Sequence, residues 1–98
     1  MKLRLIIRPD AAEELRQAKR WYEAQRVGLG VEFADEVSRV LRATREAPDR
    51  HAFVEGETRR VLLKRFPYGI FYRVRGAELL VVAVFHLHRE PGVWRDRG

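Results

Sequence analysis

The chain has 98 residues, 46% hydrophobic and 35% charged, with 7 Gly, 4 Pro, no Cys and a net charge of +6. That is room for one domain over residues 1–98, and it excludes a second domain, a disulfide framework, a thiolate metal site and a membrane-spanning apolar run. Residues 1–57 carry 11 basic and 11 acidic side chains and residues 58–98 carry 9 and 3, so the whole excess falls in the C-terminal part.

Residues 2–8 alternate, with Leu3, Leu5 and Ile7 on one side and Lys2, Arg4 and Arg8 on the other, which is the period of a strand with one buried face. Pro9-Asp10 stops it, and Asp10 with Glu13 three residues on predicts a helix N-cap. Ala11, Leu15, Ala18 and Tyr22 form the apolar stripe of that helix, and Trp21 widens it toward a sheet. Gly28-Leu29-Gly30 interrupts, with Gly28 suited to a left-handed cap and Gly30 to opening the next helix. Ala34, Val37, Leu41 and Thr44, with Phe33 and Val40 beside them, continue as a second amphipathic helix that ends near Pro48. So short a turn makes the two helices antiparallel.

Beyond Asp49-Arg50-His51 the chain becomes strand-rich. Val61, Leu62 and Leu63 sit among Arg59, Arg60, Lys64 and Arg65, and then Ile70, Tyr72 and Val74 alternate with Phe71 and Arg73. Arg75-Gly76-Ala77-Glu78 supplies a hairpin turn, and the apolar run from Leu79 to Phe85 predicts an interior strand covered on both faces. The predicted architecture is α+β in the order β-α-α-β-β-β: an antiparallel helical hairpin packed on one face of a mainly antiparallel four-stranded sheet.

Three constellations carry candidate chemistry. Alternation puts Arg59, Val61, Leu63 and Arg65 on one face and Arg60, Leu62 and Lys64 on the other. These cations either grip anionic groups or protect an edge strand from aggregation. His86, His88, Arg89, Trp94 and Arg95 follow the buried strand, where an imidazole beside an arginine serves acid/base chemistry on a phosphodiester or simply fixes the tail. Phe66, Tyr68, Phe71, Tyr72 and Trp94 lie among the basic residues, as base-stacking groups or as core. No metal and no cofactor is expected, because the chain has no phosphate-binding loop, dinucleotide fingerprint or zinc spacing.

Trp21-Tyr22-Glu23, Gly28-Leu29-Gly30 with Phe33, Arg59-Arg60 with Leu63, Arg65-Phe66-Pro67-Tyr68 with Ile70 and Tyr72, and Val81 to Val84 with His86, Arg89, Pro91 and Trp94 together resemble the RelE/ParE superfamily of bacterial toxins. The resemblance implies the growth-inhibiting toxin of a type II toxin–antitoxin pair, cytoplasmic, free of membranes, and held in a hetero-oligomer by a cognate antitoxin whose acidic, disordered tail folds on binding. It further implies that the tail engages the helical hairpin groove and the basic face. Its two branches differ in target. RelE-like members are metal-independent endoribonucleases that cut mRNA on the translating ribosome by 2′-hydroxyl attack, for which Arg59, Arg60, His86 and Arg89 would be the catalytic candidates. ParE-like members, the plasmid-stabilisation branch, inhibit DNA gyrase by binding it. Gly69 stands where the nucleases commonly carry an arginine, and no Tyr follows Tyr72, so the resemblance favours the ParE-like branch. Arg59, Arg60, Lys64, Arg65, Tyr68, His86, Arg89 and Trp94 are then the expected target- or partner-binding residues.

Overall fold

A computed structural model of the chain describes residues 3–88. The alternating N-terminal segment forms β1, Arg4–Ile7, and Leu3, Leu5 and Ile7 pack half-buried against the core. Helix α1, Pro9–Gln25, starts one residue before the expected cap. Pro9 takes the first helical position, where its missing N–H costs nothing, so Arg8 is the N-cap and Asp10 acts as an acid in the first turn. Ala11, Ala18 and Tyr22 are buried. Trp21 departs from expectation: it falls on the shoulder of that stripe, 52% exposed, with its ring edge-on to Tyr22.

Gly28, at φ 90°, supplies the left-handed residue between the helices, and α2, Leu29–Glu46, begins directly after it. Gly30 lies inside the first turn of α2 because the helices cross tightly there: a Cβ would sit 2.7 Å from the carbonyl oxygen of Lys19. A short 3₁₀ turn, Pro48–Arg50, follows.

The strands are β2, Phe53–Glu55, β3, Thr58–Leu62, β4, Tyr68–Arg75, and β5, Glu78–His86. They form one five-stranded sheet in the order β1-β5-β4-β3-β2, in which β1 runs parallel to β5 and every other pair is antiparallel. The expected four strands are thus corrected to five. The added strand, β2, is three exposed residues paired irregularly to β3, so no buried alternation marks it.

Between β4 and β5 the register steps from Phe71 opposite Ala83 to Tyr72 opposite Val81, leaving Val82 as an extra residue on β5. The bulge reverses the alternation. Leu79, Val81 and Val84 therefore join Ile70 and Tyr72 under the helices, whereas Val82, Ala83 and Phe85 join Phe71 in a smaller cluster on the other face. The main core is closed by aromatics, with the Tyr22 and Phe66 ring centroids 4.8 Å apart and those of Phe33 and Tyr68 5.3 Å apart. Each such pair adds about 1 kcal/mol beyond its buried area.

Candidate functional site

Two surfaces are built by this fold. The first is an apolar groove of about 400 Å³ between the helices and β1, floored by Leu5, Ile7, Leu15, Phe33, Ala34, Val37 and Leu41. Its rim is cationic on both sides, with Arg16 and Lys19 from α1 and Arg42 and Arg45 from α2. Arg45 also donates from Nε to the Leu3 carbonyl at 2.8 Å, which fastens α2 to the start of β1.

This basic rim belongs to the half of the chain with no net charge, because its acids are used elsewhere. Glu14 accepts the Val84 amide at 2.9 Å. Glu23 accepts the amides of Gly28 and Gly30 at 2.9 and 3.0 Å, and these two N–H groups hold its carboxyl below the usual carboxylate value. Glu36 is buried and accepts the amides of Lys64 and Arg65. Glu32 pairs with Arg65 at 2.7 Å and with Arg26 at 3.3 Å, and the Arg65 hydrogen bond is the main cause of its lowered pKa. Glu13, bonded to Arg16 at 2.7 Å, answers one rim cation directly, and the charge of Lys19 acts on Glu23. Counting charges along the sequence misses this segregation.

The second surface is the sheet face turned away from the helices. Arg59 and Arg60 part company here. Arg59 lies on the helix side of β3 with its side chain only 17% exposed, donating to the Asp49 and His51 carbonyls and lying 3.7 Å over the Phe53 ring. It fastens the 49–53 segment to the sheet. Burial, followed by the charges of Arg50 and Arg59, lowers the pKa of His51 in this cluster. Tyr72 completes it by donating to the Pro48 carbonyl at 2.7 Å, and burial raises its pKa.

Arg60 is exposed on the opposite face, its stem across Gly69. Lys64 and Arg65 sit in the loop between β3 and β4, held through their amides by Glu36, and Arg65 spends its guanidinium on Glu32. Tyr68 is buried in the aromatic core and opposes His86 across β4 and β5, ring centroids 5.3 Å apart. His86 Nδ1 accepts the His88 amide at 3.2 Å, so that nitrogen is occupied by the turn that ends β5. The expected residues Arg89 and Trp94 lie outside the described residues. Among the described residues no three His, Asp or Glu side chains gather as a metal-binding group, and no helix is long and apolar enough to cross a membrane.

A helical hairpin laid over a mostly antiparallel sheet is also the fold of a chain in the structure titled "Chromosomal ParDE TA system from P. aeruginosa", with a TM-score of 0.75 at 16% identity, covering 88% of this chain and 97% of that one. The fold and the sequence together define a toxin of the type II toxin–antitoxin class. The family model described as "ParE toxin of type II toxin-antitoxin system, parDE" matches residues 5–91, and the chain belongs to that family. No curated protein matches the chain.

Proposed function

We propose that this toxin acts in the cytoplasm by binding DNA gyrase and stalling its supercoiling cycle, and that a cognate antitoxin neutralises it in a toxin–antitoxin hetero-oligomer. The observation that carries the reading is the pairing of family membership with a cation-rimmed apolar groove that does not include the exposed Arg60 and Lys64. The helical groove suits the antitoxin: an apolar floor with Arg16, Lys19, Arg42 and Arg45 around it complements an amphipathic segment whose polar side is acidic. Such a segment, disordered when free, folds as its apolar side is buried.

The target is assigned to the end of the sheet where β4 begins and β5 exits, with Arg60, Lys64 and His86 as contacts and Arg89 and Trp94 as candidates beyond the described residues. A binding mode is favoured over cleavage because the three nuclease candidates among the described residues are not gathered: Arg59 is fastened to the 49–51 carbonyls, Arg60 lies on the opposite face, and His86 Nδ1 is engaged by a backbone amide. Purified toxin should block gyrase supercoiling at near-equimolar ratios, and antitoxin should relieve the block. Unimpaired supercoiling together with cut, codon-positioned transcripts would instead establish the mRNA-cleaving alternative.

A further inference from the structure

Gly69 is the buried β4 residue opposite Leu62 on β3 and Phe85 on β5. A Cβ built there would lie 3.2 Å from Arg60 Cδ, 3.3 Å from Arg60 Cγ and 3.2 Å from Leu87 Cδ2. The absent side chain is therefore a slot, and the Arg60 stem lies in it beside Leu87. Arg60 is registered opposite Phe71, so its stem leans diagonally toward the end of the sheet where β5 exits. The neighbouring arginines are committed: Arg59 to two carbonyls, Arg65 to Glu32 and Arg73 to the Thr58 hydroxyl. Among the described residues the Arg60 guanidinium takes no hydrogen bond or ion pair.

From this arrangement we infer that Gly69 is a positioning residue for target recognition, and that Arg60, seated in its slot, presents the guanidinium that binds a carboxylate on the protein target. An arginine loses much rotamer freedom when it is gripped by a partner, and a stem already laid on a fixed floor has lost part of it beforehand. Leu62 and Leu87, both partly exposed, flank the slot. A guanidinium set between apolar side chains suits a protein surface. The inference rests on the proposed toxin activity and adds the residue that sets its geometry.

The test is a double-mutant cycle of Arg60→Ala and Gly69→Ala, read as gyrase inhibition, with melting temperature and antitoxin affinity measured on the same proteins. A methyl at Gly69 meets only flexible side chains, and Ala is better tolerated than Gly in a strand, so the variant should melt no lower than the parent. Arg60→Ala should weaken inhibition about tenfold and Gly69→Ala about threefold, with antitoxin affinity unchanged, and the double variant should be no weaker than Arg60→Ala alone. Full potency of Gly69→Ala, or losses that multiply in the double variant, overturns the inference. A parent protein that arrests growth yet spares gyrase sinks the gyrase reading, and the same cycle read as growth arrest then decides the role of Gly69. If Arg60→Ala abolishes transcript cleavage, the bound anion is a phosphate and the carboxylate assignment falls. A parent with none of these effects removes both the proposed activity and the inference.

Discussion

The carboxylate of Glu36, from the middle of α2, accepts the Lys64 backbone amide at 2.6 Å across a sequence gap of 28 residues. Its acceptor oxygen also takes the Arg65 amide at 3.0 Å, and the side chain is 4% exposed. One buried acid thus ties the helical layer to the loop that carries two of the expected contact residues. Glu36→Ala leaves two amides without their acceptor and should cost about 3 kcal/mol, whereas Glu36→Gln, which keeps an oxygen, should cost about 1 kcal/mol. Urea unfolding should show the midpoint falling in that order with an unchanged slope. Equal losses in the two variants would mean that packing, not the acceptor, holds the loop.

Glu23 performs the same service at the helical turn, and its effect is visible through pH. The amides of Gly28 and Gly30 lower its pKa in the folded chain from the ordinary 4.5, so on acidification the unfolded chain takes up the proton first. The stability supplied by this contact is therefore fully present above that ordinary value and disappears as pH falls through the folded one. Wild type should exceed Glu23→Gln in stability near neutrality, and the gap should close on the acid side in equilibrium unfolding at a series of pH values. A gap that stays constant with pH would assign the difference to geometry alone.

How much of this was legible depended on whether the cause was local. The helices and β5 could be read because Ala11, Ala18 and Tyr22, Val37 and Leu41, and the run from Leu79 to Phe85 each carry their burial in their own spacing. Strand β2 could not, since Phe53–Glu55 buries neither face. Nor could the bulge at Val82, because a continuous apolar run hides an inserted residue. Alternation did separate Arg59 from Arg60, yet their different roles come from non-local partners: carbonyls at 49 and 51 for the one, the bare backbone of Gly69 for the other. The groove cations escaped notice for the same reason. Glu14 and Glu36 balance them in any count, and only the fold shows that those acids point at backbone amides 70 and 28 residues away.

That segregation bears on how the antitoxin arrives. Lys19 and Arg42 stand on opposite walls of the groove, both exposed. In the double variant Lys19→Glu/Arg42→Glu, association with an acidic antitoxin segment should slow about tenfold at low ionic strength, with a smaller change in dissociation. Raising salt to about 0.5 M should slow the wild-type association and narrow the difference, since screening shortens the reach of the rim charges. Stopped-flow binding at several salt concentrations measures both effects. An association rate indifferent to salt would rule out charge-steered encounter and leave the apolar floor as the sole source of recognition.

Arg59 and Arg60 are adjacent in sequence and should fail in opposite ways. Removing Arg59 strips its hydrogen bonds from the Asp49 and His51 carbonyls and its stacking over Phe53, contacts made by a side chain only 17% exposed. Arg59→Ala should therefore destabilise the fold by about 2 kcal/mol, and amide exchange should quicken across 49–55, where β2 loses its anchor. Its toxicity should track the folded fraction and recover on cooling. Arg60→Ala should leave the unfolding midpoint within about 0.5 kcal/mol of the parent, as befits an exposed site, while its toxicity falls at every temperature. If Arg59→Ala keeps full stability and still loses toxicity, Arg59 contacts the target after all, and the fastening of the 49–53 segment is secondary to that role.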